Sequence, residues 1–564
     1  MLPGISRNIN DTLSATVQWL LAGLLSATLW VALTGGGRLD LGRLTLSLRG
    51  WDRPLGLFFI LLVGFALWGW RRHPHYTVSE VAGASSVARI GLLSLVMLVP
   101  ALWVTYLDAA AGGLDSHGYV SASLLLASGH LQTLQPSDWL GIPDAIKALT
   151  PLGYLPSLDG TAIVPEFPLG LPAVMALFLR LFGAIGPFLV APVLATGCVV
   201  LTFVLVRRVT SIEGALLAAI LVAVQPVFFG YAIQPMSDVA ATFWIVLAVT
   251  LLMRERPYSL LAGLAAGLAL WTRPPLGLAA LALPFLPITK GTNRPAYALG
   301  FAPGLVALMG VQWVLYGGPF ASGHGTADSL FSFDMLAHNL GAHARWLIVE
   351  NTPLLPLALV VAWRFGHRRF LWSALALFVL VTAPYLLYRV PFDDWEMQRF
   401  LLPGLVFLLM SAADGTQAFF ARVLPRATAP LATLALAALL AFASHTFLGN
   451  RGVYRLADSE SKFPRVGAWF SAKARAGDVV LAALHSGSIR YYSDRTTIRW
   501  DQLTLDTLPA VVRAIEARGG VAYLTLDGNT ERAQFAQRFG KAPDVNIEYV
   551  DRVRTVDIAR ITVR

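Results

Sequence analysis

The sequence predicts a polytopic α-helical membrane protein with a small α/β domain at its C-terminal end. The chain has 564 residues, a mean hydropathy of +0.62, and 56% hydrophobic against only 13% charged residues. Soluble domains carry about 25% charged residues. A chain this long and this apolar indicates many membrane spans, whereas residues 448–564 are polar enough to fold outside the bilayer.

The charge distribution argues against binding to nucleic acid. The formal net charge is +10, but the basic residues stand at the ends of apolar runs, as in the cytoplasmic loops of membrane proteins. The single cysteine, Cys198, lies inside an apolar run. An intrachain disulfide and a cysteine metal site are thereby excluded, and Cys198 is interpreted as a small packing residue.

Apolar runs of membrane length predict about thirteen transmembrane helices. The first run follows Arg7 and resembles a signal sequence, but it is long and Gly35-Gly36-Gly37 is a poor cleavage site, so we interpret it as an uncleaved span. Residues 1–87 are predicted to add two helices before the main membrane domain, 88–447. The predicted spans are 14–34, 54–70, 88–107, 187–206, 214–231, 238–253, 258–272, 275–289, 296–316, 351–363, 370–388, 400–421 and 428–447.

The basic residues also predict the orientation. With the N-terminus inside, most basic loops fall on the cytoplasmic side, although the loop 35–53 with its four arginines disagrees. The orientation requires that 169–183, which is short and contains Arg180, lies at the outer surface without crossing. The predicted extracytoplasmic elements are 108–186, 317–350, 389–399 and the tail from 448.

The tail shows the pattern of a small α/β domain. Buried strands are predicted at VVLAAL (479–484), AYLTL (522–526) and ARITV (559–563), and a helix at TLPAVVRAIEARGG (507–520). HSGSIRYYSDR (485–495) follows the first strand, where α/β domains bind ligands. This segment either contacts the acceptor or a lipid phosphate, or forms a turn that packs on the membrane domain.

The loop 108–186 is too long for a simple connection. Its segment DSHGYVSASLLLASGH (115–130) has helical spacing and a plausible cap at Gly129, so Asp115 is predicted to lie just before a helix N-terminus. From spacing alone, Asp115 is either an N-cap or solvated loop acid, or a functional carboxylate.

Four motifs occur in a fixed order along the chain. Asp115 stands four positions before Tyr119, VPEFPLGLP follows with Glu166, QPMSDVAATFW carries Asp238, and WEMQRFLLP (395–403) ends the set. Over about residues 88–412 this order resembles the C-type glycosyltransferases (the GT-C superfamily), especially the aminoarabinose transferases and protein O-mannosyltransferases. Three features depart from the family: Phe167 stands where some relatives have a lysine, two extra spans come first, and the tail is distinct.

The resemblance implies an inverting enzyme that moves a sugar from a polyprenyl-phosphate donor to a hydroxyl of a lipid, glycan or protein. The reaction is expected at the outer face of the cytoplasmic membrane. Asp115 is predicted to be the base that removes the hydroxyl proton. Arg273 and Arg399 are predicted to neutralise the leaving phosphate. Further substrate contacts are predicted for Tyr119, His117, Glu166 and Asp238.

Each of these assignments has a structural alternative. Arg273 and Arg399 are otherwise snorkelling interface residues, and Asp238 and Glu166 are otherwise caps of the helices that follow them. The three histidines of 317–350 match no metal-ligand spacing, which favours a substrate contact or a plain loop role. No metal or other cofactor is predicted.

Two functions of other classes remain as alternatives. A transporter or flippase of a lipid-linked glycan predicts internal repeats, charges inside spans and broken helices at mid-membrane. No repeat is visible, and the acids cluster at one predicted face. A non-catalytic scaffold that uses the tail leaves the ordered acidic motifs unexplained.

Overall fold

The computed structural model describes residues 20, 37–40, 45–48, 98–351, 354–425, 428–540 and 544–563. The predicted spans 14–34 and 54–70, which are the two extra N-terminal helices, lie almost wholly outside the described residues, as does the first half of 88–107. Strand β1 (Gly37–Asp40) pairs antiparallel with β2 (Thr45–Leu48). A helical stretch covers 98–105.

Helices make up most of the described chain, and strands are confined to three short sheets. In chain order the helices are α1 (Asp115–Ala127), α2 (Ala145–Leu149), α3 (Gly170–Phe182), α4 (Gly186–Arg207), α5 (Ile212–Val224), α6 (Pro226–Ala232), α7 (Ser237–Leu252), α8 (Ser259–Thr272), α9 (Gly277–Ala282), α10 (Arg294–Tyr316), α11 (Ala327–Leu330), α12 (Leu336–Asn351), α13 (Leu354–Phe365), α14 (Arg368–Leu386), α15 (Leu402–Val423), α16 (Ala429–Asn450), α17 (Leu456–Glu460), α18 (Lys462–Lys473), α19 (Ser486–Ser493), α20 (Thr507–Ala517) and α21 (Gly528–Phe539). The later strands are β3 (Thr133–Leu134), β4 (Tyr154–Pro156), β5 (Ala162–Pro165), β6 (Val479–Leu481), β7 (Thr496–Ile498), β8 (Ala522–Asp527), β9 (Val545–Val553) and β10 (Val556–Val563). A 3₁₀ helix, Trp395–Leu401, precedes α15.

The helix lengths show a multi-pass membrane protein, as predicted. Within the described residues, five helical runs are long and apolar enough to cross a membrane, or up to seven if each of two bent pairs forms one span. Every predicted span from 187–206 onward overlaps at least one helix of the described residues. The predicted number of about thirteen is not confirmed, because several of these helices are shorter than the ~20 residues that a crossing needs. The shorter apolar helices are Ser237–Leu252, Ser259–Thr272 and Pro274–Phe285.

The predicted single span 214–231 is two helices, and the sequence explains the break. The axes of α5 and α6 meet at 64°. Pro226 opens α6 and has no N–H with which to continue the hydrogen-bond ladder of α5. The Oε1 atom of Gln225 accepts a hydrogen bond of 2.6 Å from the backbone N–H of Phe228, which caps the new helix.

The described chain divides into two compact units. We call the first the membrane unit; its described parts come from before Tyr106 and from Leu189–Val311 and Thr326–Val453. The second, here called the loop–tail unit, comprises Tyr106–Phe188, Gln312–Gly325 and Tyr454–Arg564. The loop 108–186 therefore belongs with the tail by its contacts, whereas the sequence grouped it with the membrane helices.

Four glycines allow the backbones of α8 and α10 to pack closely in the membrane unit. Gly263 and Gly267 of α8 face Gly300 and Gly304 of α10. A Cβ at Gly300 would lie 2.0 Å from the carbonyl oxygen of Leu260, and one at Gly304 would lie 2.5 Å from the backbone of Gly267. This small-xxx-small spacing is the usual way in which transmembrane helices bring their backbones together.

The tail forms the predicted α/β domain inside the loop–tail unit. Its sheet has the order β7-β6-β8-β10-β9, in which β7, β6 and β8 are parallel while β8, β10 and β9 are antiparallel. The three predicted strands are β6, β8 and β10, and the predicted helix is α20, followed by Gly519 at a φ of +75°. Side chains alternate across the sheet, with Leu481 and Leu524 in one apolar cluster and Val480 and Tyr523 in the other.

The loop 108–186 shares a core with this domain. Leu140 and Leu149 of the loop pack in the same apolar cluster as Ile498 and Trp500 of the tail. The loop also forms its own sheet, β3-β5-β4, and α1 packs against α3. This packing places residues 169–183 in the loop–tail unit. α3 is capped by Gly183, which has a φ of +67°, and a 3₁₀ turn at Gly183–Ile185 leads into α4.

Candidate functional site

Asp115 is the first residue of α1 and is half-buried. The N-cap position is taken by Leu114, so Asp115 is not itself the N-cap residue. A carboxylate in the first turn of a helix is stabilised by the positive end of the helix dipole. Asp115 therefore lies at the positive end of the α1 dipole.

Tyr119 and Glu166 lie in one cluster of the loop–tail unit. The Phe167 ring stands 4.8 Å from the ring of Tyr119 and 5.2 Å from that of His324, and His324 Nδ1 lies 3.2 Å from Glu166 Oε1. We call Tyr119, Glu166, Phe167 and His324 the Glu166 cluster. The Glu166 and His324 side chains are accessible, at 18% and 36% exposed, whereas Tyr119 is buried at 6%.

Two backbone approaches hold the Glu166 cluster together. Gly118 lies against Phe167, whose ring a Cβ at this glycine would meet at 2.6 Å. Gly323 lies against Glu166, whose carbonyl oxygen a Cβ would meet at 2.0 Å, and Tyr316 donates its hydroxyl to Pro165 O at 2.7 Å. Phe167 therefore fills the space beside Gly118. In the sequence analysis it stood out only because some relatives have a lysine at this position.

His117 is placed differently from the other predicted contacts. Its side chain is 2% exposed, and its Nδ1 lies 3.0 Å from the carbonyl oxygen of Leu152. Burial lowers the pKa of His117 to about 4, so the ring is neutral at pH 7 and Nδ1–H donates to Leu152. The prediction that His117 contacts substrate finds no support in this geometry.

The predicted arginines meet Asp238 in the membrane unit. Asp238, in the first turn of α7, forms an ion pair with Arg273, the C-cap of α8, and their side chains are 2% and 12% exposed. The guanidinium carbon of Arg273 lies 4.5 Å from the centroid of the Phe400 ring, and that of Arg399 lies 4.9 Å from the same centroid. Arg399 also lies 5.4 Å from the Tyr231 ring.

Tyr385 completes this group, which we call the arginine cluster: Asp238, Arg273, Tyr385, Arg399 and Phe400. The Tyr385 ring stacks on Phe400 at 5.0 Å. Its hydroxyl is buried without a hydrogen-bond partner among the described residues, and the charges of Arg273, Asp238 and Arg399 all act on it. The guanidinium groups of Arg273 and Arg399 and the hydroxyl of Tyr385 are hydrogen-bond donors, and guanidinium groups bind anionic ligands such as phosphate well.

Two residues of these clusters were not predicted from the sequence: Tyr385, and His324 as the partner of Glu166. Tyr385 lies inside an apolar helix with no motif around it, and His324 was noted only as one of three loop histidines. Within the described residues, no group of three or more histidine, cysteine or acidic side chains is placed to hold a metal ion.

Asp108 is a second buried acid near the start of the loop. It is 2% exposed and accepts a hydrogen bond from Ala110 N at 3.0 Å. Burial, and then the charge of Glu460, raise the pKa of Asp108 to about 7 from 3.8. The folded protein therefore keeps a proton that the unfolded chain releases, so Asp108 costs stability as the pH rises from about 4 to 7.

Asp108→Asn is accordingly expected to stabilise the protein above pH 7 and to change little at pH 4. At 1.36 kcal/mol for each pKa unit, the gain at pH 8 is on the order of 4 kcal/mol at most. Melting temperatures in detergent at both pH values test this, with Asp144→Asn, an exposed acid of the same loop, as control. Equal shifts at both pH values would contradict the assignment.

Comparisons with known proteins bear on the fold. No protein-family model and no curated protein matches this chain. Its structure is similar to the crystal structure of ArnT from Cupriavidus metallidurans bound to undecaprenyl phosphate, with a TM-score of 0.51 and 13% identity over 83% of this chain and 97% of that one. The apo state of ArnT gives a TM-score of 0.51 and 14% identity over 84% and 98%.

A third structure, the arabinofuranosyltransferase AftD from mycobacteria, matches with a TM-score of 0.41, which is too low to bear on the fold. The two ArnT matches confirm the fold that the sequence motifs implied. The chain has a GT-C-like membrane fold, shared with an aminoarabinose transferase along almost the whole length of the latter.

Proposed function

We propose that this protein is an inverting glycosyltransferase that takes a sugar from a polyprenyl-phosphate donor and passes it to a hydroxyl acceptor. The arginine cluster carries the proposal, because it gathers two guanidinium groups and a tyrosine hydroxyl in the membrane unit. ArnT, which has the same fold, binds undecaprenyl phosphate. We place the reaction at the outer face of the cytoplasmic membrane, with the loop–tail unit on that side.

In the proposed reaction the arginine cluster receives the phosphate of the donor. Negative charge accumulates on this phosphate as the bond to the sugar breaks, and fixed cations aimed at developing charge are a large source of rate enhancement. Arg273 and Arg399 supply the cations, the Tyr385 hydroxyl donates to a phosphate oxygen, and Asp238 holds Arg273 in place. Phosphate leaves readily, so we propose no metal or other cofactor.

Asp115 is the proposed base. The acceptor hydroxyl is a poor nucleophile until its proton is removed, and a carboxylate within hydrogen-bond reach can take that proton. The oxygen then attacks the anomeric carbon directly, the sugar–phosphate bond breaks on the opposite side, and the configuration inverts. Asp115 lies in the first turn of α1 and is half-buried, so its carboxylate is partly open to a bound acceptor.

The Glu166 cluster is proposed to bind the acceptor. Glu166→Gln and His324→Ala are each expected to raise the KM for the acceptor about tenfold, equal to about 1.4 kcal/mol, with a smaller change in kcat, because each removes a polar contact to the bound hydroxyl compound. Steady-state kinetics with varied acceptor measure this. The control is His338→Ala. His338 is also exposed and also pairs with a carboxylate, since its Nε2 lies 2.7 Å from Asp393 Oδ1.

Two results would contradict this assignment. One is an unchanged acceptor KM in both variants, and the other is an equal change in His338→Ala. A fall in kcat alone would place Glu166 in the chemical step instead of in acceptor binding.

Binding of the lipid phosphate tests the arginine cluster apart from turnover. We expect a short polyprenyl phosphate to bind far more tightly than the corresponding polyprenol, and Arg399→Gln to remove most of that difference. Arg345→Gln is the control, because Arg345 is exposed and stacks on Trp346 at 5.0 Å. Equal affinity for phosphate and alcohol would contradict the proposal. A transporter would instead move the intact glycolipid across a vesicle membrane without cleaving it.

A further inference from the structure

The segment HSGSIRYYSDR of the tail forms a helix that packs on the helix bearing Asp115. Its residues Ser486–Ser493 are α19, and α19 contacts α1 within the loop–tail unit. The two helices approach closely at Gly487, where a Cβ would stand 2.2 Å from Nδ1 of His117. His117 lies two residues after Asp115, so α19 presses directly on the first turn of α1.

Hydrogen bonds fix the same ring nitrogen of His117. The backbone N–H of Leu152 donates to Ser486 Oγ at 3.2 Å, and Leu152 O accepts from His117. The imidazole thus contacts Gly487 and also the carbonyl oxygen of Leu152, a residue that Ser486 of α19 holds through its N–H. A neutral imidazole makes both contacts without the cost of burying a charge.

Arg490 ties α19 to the rest of the loop. Its Nη1 donates to Gln135 Oε1 at 2.6 Å, and its Nη2 donates to the carbonyl oxygen of Leu149. Its Nε donates to Thr497 Oγ1 at 2.7 Å within the tail. The Arg490 guanidinium therefore connects two parts of the loop, at Gln135 and Leu149, to strand β7 of the tail at Thr497.

The segment that leads into α1 is held by the tail as well. Ala111 N donates to the Tyr492 hydroxyl at 2.8 Å, and Gly112 lies against the Phe463 ring, which a Cβ there would meet at 2.1 Å. The N–H of His117 in turn donates to Gly112 O at 3.2 Å. Both the start of α1 and the residues before it are therefore positioned by the tail.

We infer that α19 is a positioning element for catalysis: the C-terminal domain, through Gly487, Arg490 and Tyr492, fixes the first turn of α1 and with it the Asp115 carboxylate. This inference rests on the proposed role of Asp115. It gives the tail a function in the reaction without any contact to substrate. A base displaced by about 1 Å loses much of its rate advantage, so such a support affects kcat more than binding.

Gly487→Ala tests the inference, with Gly477→Ala as the matched control in the same domain. A Cβ at Gly477 meets nothing within 4 Å, and neither glycine has a positive φ. Alanine is the better helix former, so a loss at Gly487 comes from the collision with His117 and not from the backbone. We expect Gly487→Ala to lower kcat at least about tenfold, with the donor KM within about twofold of wild type.

Hydrogen exchange supplies a readout that does not depend on turnover. In Gly487→Ala the amides of residues 116–120 are expected to exchange at least about tenfold faster than in wild type, and in Gly477→Ala at the wild-type rate. A folded Gly487→Ala protein with wild-type kcat and exchange overturns the inference. If wild type transfers no sugar from any donor, the proposed function fails, while the exchange comparison still decides whether α19 holds α1.

Tyr492→Phe decides the matter if Gly487→Ala does not fold. It removes only the hydroxyl that accepts from Ala111 and keeps the ring. We expect a loss of kcat of roughly threefold and faster exchange at the same amides, since one of several supports is gone. Wild-type values of both would overturn the inference.

Discussion

Asp115→Asn is expected to lower the rate of sugar transfer by about 10²–10⁴-fold while the protein stays folded and binds its donor. Asparagine has nearly the same shape but cannot accept the proton of the acceptor hydroxyl, and general-base catalysis contributes a factor of this size. Asp115 is half-buried in the first turn of α1, and asparagine fills the same space there. We therefore expect the variant to keep its fold. Single-turnover transfer with saturating donor and acceptor measures the loss.

The control for this variant is Asp144→Asn in the same loop. Asp144 is exposed, pairs only with Lys147 in the described contacts, and has a φ of +51° that asparagine tolerates well. It should transfer sugar at the wild-type rate. Full activity in a folded Asp115→Asn protein would remove Asp115 from the mechanism.

Arg273→Gln is expected to lower kcat/KM for the donor by about 10²–10³-fold, because it removes one of the two cations that stabilise the leaving phosphate. It also leaves Asp238 buried without its guanidinium partner, and loss of one member of a buried pair costs about 3–5 kcal/mol of stability. Donor kinetics and a melting curve on the same preparation measure both effects.

A double variant distinguishes the effect of Arg273 on the leaving phosphate from its effect on the stability of the fold. Arg273→Gln combined with Asp238→Asn removes both charges, so the melting temperature should recover toward the wild-type value while transfer stays low. Recovery of transfer in the double variant would mean that Arg273 serves the fold and not the phosphate.

Local patterns predicted the secondary structure of the tail and of the membrane helices well. The strands at 479–484, 522–526 and 559–563 were recognisable because short apolar, β-branched runs between polar turns suit few other structures. The number of membrane crossings could not be predicted in the same way. The apolar run 214–231, for example, has the length of one span, but Pro226 ends the first helix there and Gln225 caps the next.

Contacts between distant segments could not be predicted from the sequence. Arg273 and Asp238 are 35 residues apart, and topology predicted only that both lie at one face. Tyr385 has no polar neighbour in sequence to mark it, so its place beside Phe400 emerges only from helix packing. Arg490 and Leu149 are 341 residues apart, so the sequence did not predict that the loop and the tail share one core.

The most direct test of the proposed activity is transfer by the wild-type protein in nanodiscs, supplied with a panel of radiolabelled polyprenyl-phosphate sugars and cell-envelope acceptors. A glycosyltransferase must release polyprenyl phosphate and form an inverted glycoside from at least one donor, in proportion to enzyme. Tight binding of donors with no cleavage of any of them would contradict the account.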